Sequence, residues 1–261
     1  MTQPPSLFDA RDVAQAYETH LVSRVFGPFA KRLVDTAAPT RHEDVLDLAC
    51  GTGAVTRIVA QRCGPARVKG IDIADAMLEI ARPLAPNVTF LHGAFDNLPV
   101  QDRRTDVVLC QQGLQFAPDR PAAVQEMARV LRRGGRVVVS CWTEVQRIPV
   151  FNAYREALLA LGWDDLAQMF SVPFSLSCPE LEALFRTPAF DQINAREVTM
   201  HLPVGDPREM AQIYASIPPF STRFLAASEA DQQRYLDTVT AGLTDTEPFT
   251  TSVLTAVRSS A

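Results

Sequence analysis

The chain of 261 residues contains no apolar run approaching the about 18–20 residues needed to cross a bilayer. Its first residues, Met1-Thr2-Gln3-Pro4-Pro5-Ser6, lack the charge-then-apolar form of a signal peptide. No block of like charge stands out, and the formal net charge is −5, so tight binding to nucleic acid through phosphate neutralisation is disfavoured. The five cysteines are odd in number and no two are spaced as CxxC, which argues against a disulfide framework and against a zinc site. There is no internal repeat and no low-complexity stretch. These absences lead us to expect a cytoplasmic protein with no metal, no membrane partner and no nucleic-acid partner. A chain of this length buries roughly 70–75% of its unfolded surface and needs no covalent staple.

What is present falls into three parts, expected as an N-terminal helical cap (1–42), a ligand-binding core (43–142) and a C-terminal part carrying lid-like insertions (143–261). In residues 10–36, Val13, Tyr17 and Leu21, then Val25, Phe29 and Leu33, recur every four residues as apolar stripes. Gly27-Pro28 interrupts them, which predicts two helices. Residues 44–142 alternate between nearly continuous apolar runs (44–48, 68–73, 88–91, 106–110 and 136–142) and helical segments (54–63, 76–82 and 121–132). Apolar runs of this kind suit strands covered on both faces, and the βαβ rhythm predicts a doubly wound α/β sheet. Asp75 is placed to cap the second helix, and Gly134-Gly135 to end the third. Beyond residue 143 the rhythm loosens and proline becomes frequent; helices are predicted over 150–161, 179–185 and 229–241, and strands over 192–202 and 250–257.

The most informative stretch is Val45-Leu46-Asp47-Leu48-Ala49-Cys50-Gly51-Thr52-Gly53. A buried strand enters a Gly-x-Gly turn and a helix follows, so backbone N–H groups face a space that a ligand can approach closely. Asp72 ends the next strand, where a carboxylate reaches the two hydroxyls of a ribose. The dinucleotide fingerprint Gly-x-Gly-x-x-Gly fails, because Thr56 holds the third glycine position. Asp47, in the strand before the turn, would repel a pyrophosphate and suits an ammonium or a sulfonium. A nicotinamide oxidoreductase is disfavoured on both counts.

Asp47–Gly53 resembles the signature loop of class I S-adenosylmethionine-dependent methyltransferases. Gly70-Ile71-Asp72-Ile73-Ala74-Asp75-Ala76-Met77-Leu78, Phe90–Pro99, Asp106–Cys110 and Val130–Arg136 resemble the landmarks that follow in that family. The flavour is that of its ubiquinone/menaquinone-biosynthesis members. The resemblance implies a Rossmann-like seven-stranded sheet of order 3-2-1-4-5-7-6 with N-terminal helices and helical lid insertions. It implies S-adenosyl-L-methionine as cofactor and S-adenosyl-L-homocysteine as product. Carried over by position, Ala49, Cys50, Gly51, Thr52 and Gly53 would form the loop beneath the cofactor, and Asp47 would orient its amino group. Asp72 would hold the ribose, Ile73 and Met77 would pack on the adenine, Ala94 and Phe95 would border its edge, and Gln111 would lie beside the methionine part. Ala94 departs from the pattern, which often has Asp there; the backbone at Phe95 is left to meet the adenine amino group.

For the chemistry the candidates are Gln112, His20 and Tyr17, with Gln115, Trp142 and His201 behind them. Each has a plainer reading: His20 as a surface residue of an amphipathic helix, Tyr17 as core packing, His201 as a strand-end residue. His42 and His92 read as structural, and Cys50 and Cys141 as small buried residues. The loop after strand four holds Cys110-Gln111-Gln112-Gly113-Leu114-Gln115-Phe116 in place of the Asn/Asp-Pro-Pro-aromatic run of amino-methylating DNA enzymes, and there is no Pro-Cys motif. The C-terminal aromatics, among them Trp142, Tyr214, Phe220 and Phe224, predict with Gln112 and Gln115 a pocket for a small, largely apolar, aromatic acceptor methylated on O, N or C. A protein that binds the cofactor without transferring methyl (a cyclase or pericyclic catalyst, or a regulatory binder) stays open as the alternative, as does a homodimer.

Overall fold

In the computed structural model, residues 10–215 and 220–260 are described. Pro218 and Pro219, part of the expected lid, lie outside the described residues. Strand β1 (Val45–Leu48) is buried along its whole length and lies inside a sheet. It pairs in parallel with β2 (Val68–Asp72) on one side and β4 (Thr105–Gln111) on the other; β3 (Thr89–His92) pairs with β2, and β5 (Leu131–Trp142) with β4. Parallel neighbours need crossovers, and α3 (Ala54–Cys63), α4 (Asp75–Leu84) and α5 (Arg120–Val130) supply them. With β6 (Phe190–Pro203) and β7 (Thr246–Arg258) the sheet has seven strands in the order 3-2-1-4-5-7-6. Thr255 reaches the carbonyl of Asn194, whereas Thr251 reaches that of Val198. The contacts run up one strand as they run down the other, so β6 and β7 are antiparallel and the sheet is mixed.

The chain divides into two units. The first takes in residues up to Cys141, Leu176–Glu197 and the segment from Ser252 onward. A core cluster in it packs Leu46, Leu48, Val108 and Val139 of the strands with Met127 of α5 and Leu181 and Phe185 of α8 (Cys178–Phe185). Arg132 spans Asp44 and Asp106, and Arg136 grips Glu43, whose carboxyl that hydrogen bond draws down to about 2. The second unit, Trp142–Ser175 and Val198–Thr251, is built from α6 (Pro149–Ala160), α7 (Asp164–Ser171), α9 (Pro207–Ala215), α10 (Phe220–Ala226) and α11 (Glu229–Thr240), with the remaining halves of β6 and β7.

Three local expectations are corrected. The two N-terminal helices are one: α1 (Arg11–Ala16), a π-helical segment (Tyr17–Phe26) and α2 (Gly27–Ala37) follow each other with helical dihedrals at both junctions. In an α-helix Pro28 would clash with the carbonyl four residues before it. The wider turn accommodates it, and the Gly27 N–H reaches back five residues to Val22. A Cβ on Gly27 would lie 2.7 Å from that Val22 oxygen, so the widened turn requires glycine there. Second, Asp75 does not cap α4 but is its first residue, and the Ala74 N–H before it is taken by Asp72. Third, α5 stops at Val130, ahead of Gly134-Gly135. Leu131 pairs with Thr105 and Arg136 with Val107, so residues 132–135 bulge out inside β5, with Gly134 at φ +75°.

Candidate active site

The loop between β1 and α3 takes a left-handed backbone at alternate residues: Ala49 at φ +52°, Gly51 at +54° and Gly53 at +86°. Glycine adopts this freely and alanine does so at a cost, so Ala49 is strained. The loop is clamped to β2. The Cys50 N–H donates to the Ile71 carbonyl at 3.0 Å, and the Gly51 N–H donates to Asp72 Oδ2 at 2.7 Å. The other Asp72 oxygen accepts from the Ala74 N–H at 2.9 Å. Burial raises the Asp72 carboxyl above its ordinary range, against the pull of these N–H groups. The clamp needs Gly70, where a Cβ would meet the Phe90 ring at 2.7 Å and the Cys50 sulfur at 2.9 Å. Above Gly51 the space is open: a Cβ there would find only Tyr17 Cε1, at 3.8 Å.

Asp47 is the one charged residue of β1 and is 1% exposed. Its Oδ2 accepts from the Thr56 hydroxyl at 2.5 Å, while Oδ1 has no partner. Burial lifts the carboxyl to about 7 although the Thr56 hydrogen bond opposes it. A buried carboxylate with one free oxygen at the carboxyl end of the central strand provides a place for a cation.

The π-helical segment roofs this loop. Glu18 accepts from the Thr52 hydroxyl at 2.5 Å and pairs with Arg57 at 2.9 Å. Gln111, at the end of β4, donates to the Phe26 carbonyl at 2.8 Å. Tyr17 stacks on Phe26 with ring centroids 4.8 Å apart and packs on the cluster of Ala14, Ala74, Ala76, Met77 and Ile80. Ile73 is 40% exposed at the tip of β2, whereas Met77 is buried within that cluster. Ala94 and Phe95 are half-buried after β3. The Phe95 ring comes within 3.3 Å of where a Gly113 Cβ would lie.

The chain leaves β4 through Gln112, a buried non-glycine residue at φ +53°, and turns through Leu114–Phe116. Gln115 Nε2 donates to Gln112 Oε1 at 3.2 Å. Of the other candidates in the first unit, His20 is half-buried in the π-helical segment and His92 is exposed at the end of β3. Sequence reasoning missed Thr56, Glu18 and Arg57. Thr56 carried a signal, since it lies in the first turn of α3 directly after the loop; Glu18 carried none beyond its place beside Tyr17.

In the second unit Phe151 is the hub of an aromatic cluster. Its ring centroid lies 5.2 Å from Trp142, 5.1 Å from Phe174, 6.0 Å from Tyr214 and 5.6 Å from Phe249. Phe220 joins through Phe170 at 5.8 Å, and Tyr154 stacks on Tyr214 at 4.5 Å. Phe224 stands apart, packed on Tyr235 at 5.3 Å. His201 is exposed on β6. Among the described residues no group of three or more His, Cys, Asp or Glu is placed to hold a metal ion, and no helix is long and apolar enough to cross a membrane.

The sheet thus carries a glycine loop at the carboxyl end of β1, the buried Asp72 at the end of β2 and the buried Asp47 inside β1. A family model described as a methyltransferase domain matches residues 45–135. The chain is 36% identical over 138 residues to the demethylmenaquinone methyltransferase of Thermotoga maritima, covering 51% of this chain and 58% of that protein. It is 33% identical over 173 residues to that of Staphylococcus aureus, covering 65% and 67%. Among solved structures, Haemonchus contortus phosphoethanolamine N-methyltransferase 2, bound to phosphomonomethylethanolamine and S-adenosylhomocysteine, superposes with a TM-score of 0.65 at 16% identity, over 99% of this chain and 61% of that one. The chain belongs to the class I S-adenosylmethionine-dependent methyltransferases, and its cofactor is S-adenosylmethionine. The residues fit that ligand: the orphaned Asp47 oxygen suits its ammonium, and the open space over Gly51 leaves room for it.

Proposed function

We propose that the protein methylates a small, largely apolar, ring-bearing acceptor of the quinone type. The observation that supports the acceptor class is the Phe151-centred aromatic cluster of the second unit, in which Trp142 is buried and Tyr214 and Phe220 are half-buried. The names of the two curated relatives point the same way. Phe224, on α10 with Phe220, is included as a residue that shapes the acceptor's surroundings.

When bound, S-adenosylmethionine supplies a methyl group on a sulfonium, already activated for in-line displacement. What the chain must add is position and dryness. Asp72 holds the ribose hydroxyls with lone pairs left over from its two N–H contacts. Asp47 faces the ammonium through Oδ1. Ala49 to Gly53 pass beneath the ligand, Ile73 and Met77 flank its adenine, and Ala94 and Phe95 border the edge. Gln111 lies by the methionine part, and Tyr17 with the π-helical segment keeps water out. A reduced naphthoquinone releases one proton for the methyl group it gains, and that proton passes to water, with no side chain assigned as the base. The test is incubation of the protein with S-adenosylmethionine and a reduced naphthoquinone lacking a ring methyl. The expected result is a product heavier by one methyl group together with S-adenosylhomocysteine. Cofactor binding without either product would replace this reading with that of a non-methylating binder.

A further inference from the structure

We infer that Gln112 and Gln115 form a pair that reads one hydroxyl group of the methyl acceptor, an assignment that rests on the methyl-transfer reading. Gln112 is 7% exposed and Gln115 2%. The Gln115 Nε2 to Gln112 Oε1 hydrogen bond locks the two amides side by side. Gln112 Nε2 and Gln115 Oε1 are buried and have no partner. An unmet buried amide atom costs stability, and here two occur in neighbouring side chains. Gln112 also holds a left-handed backbone at φ +53° that a glycine would take more cheaply. The strain is enforced: its N–H donates to the Ser140 carbonyl at 2.8 Å, and Gly113 after it is pressed on the cofactor loop, where a Cβ would lie 2.4 Å from the Ala49 Cβ. Strain and unmet polarity thus coincide beside Ala49, at the carboxyl end of β4.

The pair offers one unpartnered amide nitrogen, Gln112 Nε2, and one unpartnered amide oxygen, Gln115 Oε1. Turning both amides over exchanges the roles and leaves the same offer. Arg120 Nη2 donates to the Gln115 backbone carbonyl at 3.0 Å, and Gln115 Oε1 stays without a partner. A neutral group that both accepts and donates satisfies the pair, and a phenol or hydroquinone O–H is such a group. Its oxygen accepts from Gln112 Nε2 and its hydrogen goes to Gln115 Oε1. A quinone carbonyl or an aryl ether can only accept and leaves Gln115 Oε1 unmet. The pair therefore selects the reduced, hydroxyl-bearing form of the ring, and the discrimination arises from the penalty on the wrong form.

The experiment uses the protein saturated with S-adenosylhomocysteine and two probes, 1-naphthol and 1-methoxynaphthalene. The wild type should bind the naphthol about tenfold more tightly than the ether, the worth of one buried hydrogen bond with its unmet alternative. Gln115→Met and Gln112→Met should each bring that ratio close to one with S-adenosylhomocysteine affinity unchanged, and Gln115→Glu, which keeps an oxygen in place, should retain the preference. Two independent methionine variants guard against a folding defect in either. Equal binding of the two probes by the wild type, or a preference that survives both methionine substitutions, overturns the assignment. Methyl transfer is read separately from product mass, so its failure with the naphthol preference intact would sink only that reading.

Discussion

Asp47 is a buried carboxyl of the proposed cofactor site. Its folded carboxyl titrates near 7, far above its ordinary value, because burial penalises the charge. The folded chain therefore keeps a proton that the unfolded chain has already lost. This contribution to stability is greatest at acid pH and is lost as pH rises through about 7. Affinity for a ligand ammonium runs the other way, since binding needs the ionised form. Calorimetry should find S-adenosylhomocysteine binding weakening by up to about tenfold per pH unit below 7, with one proton released per ligand bound. Asp47→Asn should bind more weakly and lose that slope; a slope unchanged in the variant would assign the titration elsewhere. Gly113 makes a second prediction at this scale. With Ala49 2.4 Å from its missing Cβ, Gly113→Ala should cost about 1–3 kcal/mol in denaturant unfolding. At this scale the loop residues were legible, because Gly-x-Gly after a buried strand is a local pattern. Glu18 was not, because it meets Thr52 and Arg57 across 34 and 39 residues of chain.

Among the elements, the N-terminal helix departs most from its sequence. Gly27-Pro28 has the local chemistry of a stop, and read alone it predicts a break. The chain instead widens into ten π-helical residues and continues into α2. Segments of this kind are uncommon and tend to mark functional places. Here the segment carries Tyr17 and Glu18, which meet the loop between β1 and α3, and Phe26, whose carbonyl meets Gln111 at the end of β4. Glu18→Ala should speed amide hydrogen exchange across residues 17–26 and shorten the residence time of S-adenosylhomocysteine, leaving exchange in β1, β4 and β5 unchanged. Faster exchange throughout the sheet would mean that Glu18 is a general support and not a tie for the roof. Beyond residue 143 the helices expected over 150–161 and 179–185 are present as α6 and α8, whereas α9 was not expected. Pro149, Pro179 and Pro207 stand in the first turn of α6, α8 and α9, where a missing N–H costs nothing.

At the level of the whole molecule, the central strands were legible because parallel strands buried on both faces leave nearly continuous apolar runs. In the second unit α6 and α11 were legible, whereas α7, α9 and α10 were not, being short, and the ring packing around Phe151 leaves no period in the sequence. If its rings serve the acceptor, Phe220→Ala and Phe224→Ala should raise the acceptor KM several-fold and leave S-adenosylhomocysteine affinity intact; equal loss of both would sink that role. We propose that the Gly51 loop and Asp72 together hold S-adenosylmethionine. Calorimetric titration of the wild type and of Asp72→Ala with S-adenosylmethionine and S-adenosylhomocysteine tests it most directly. Both ligands should bind the wild type, and the variant, stripped of its ribose contacts and of its clamp on the Gly51 N–H, should lose about 100-fold or more in affinity. Absence of binding to the wild type, or undiminished binding to the variant, would contradict the account.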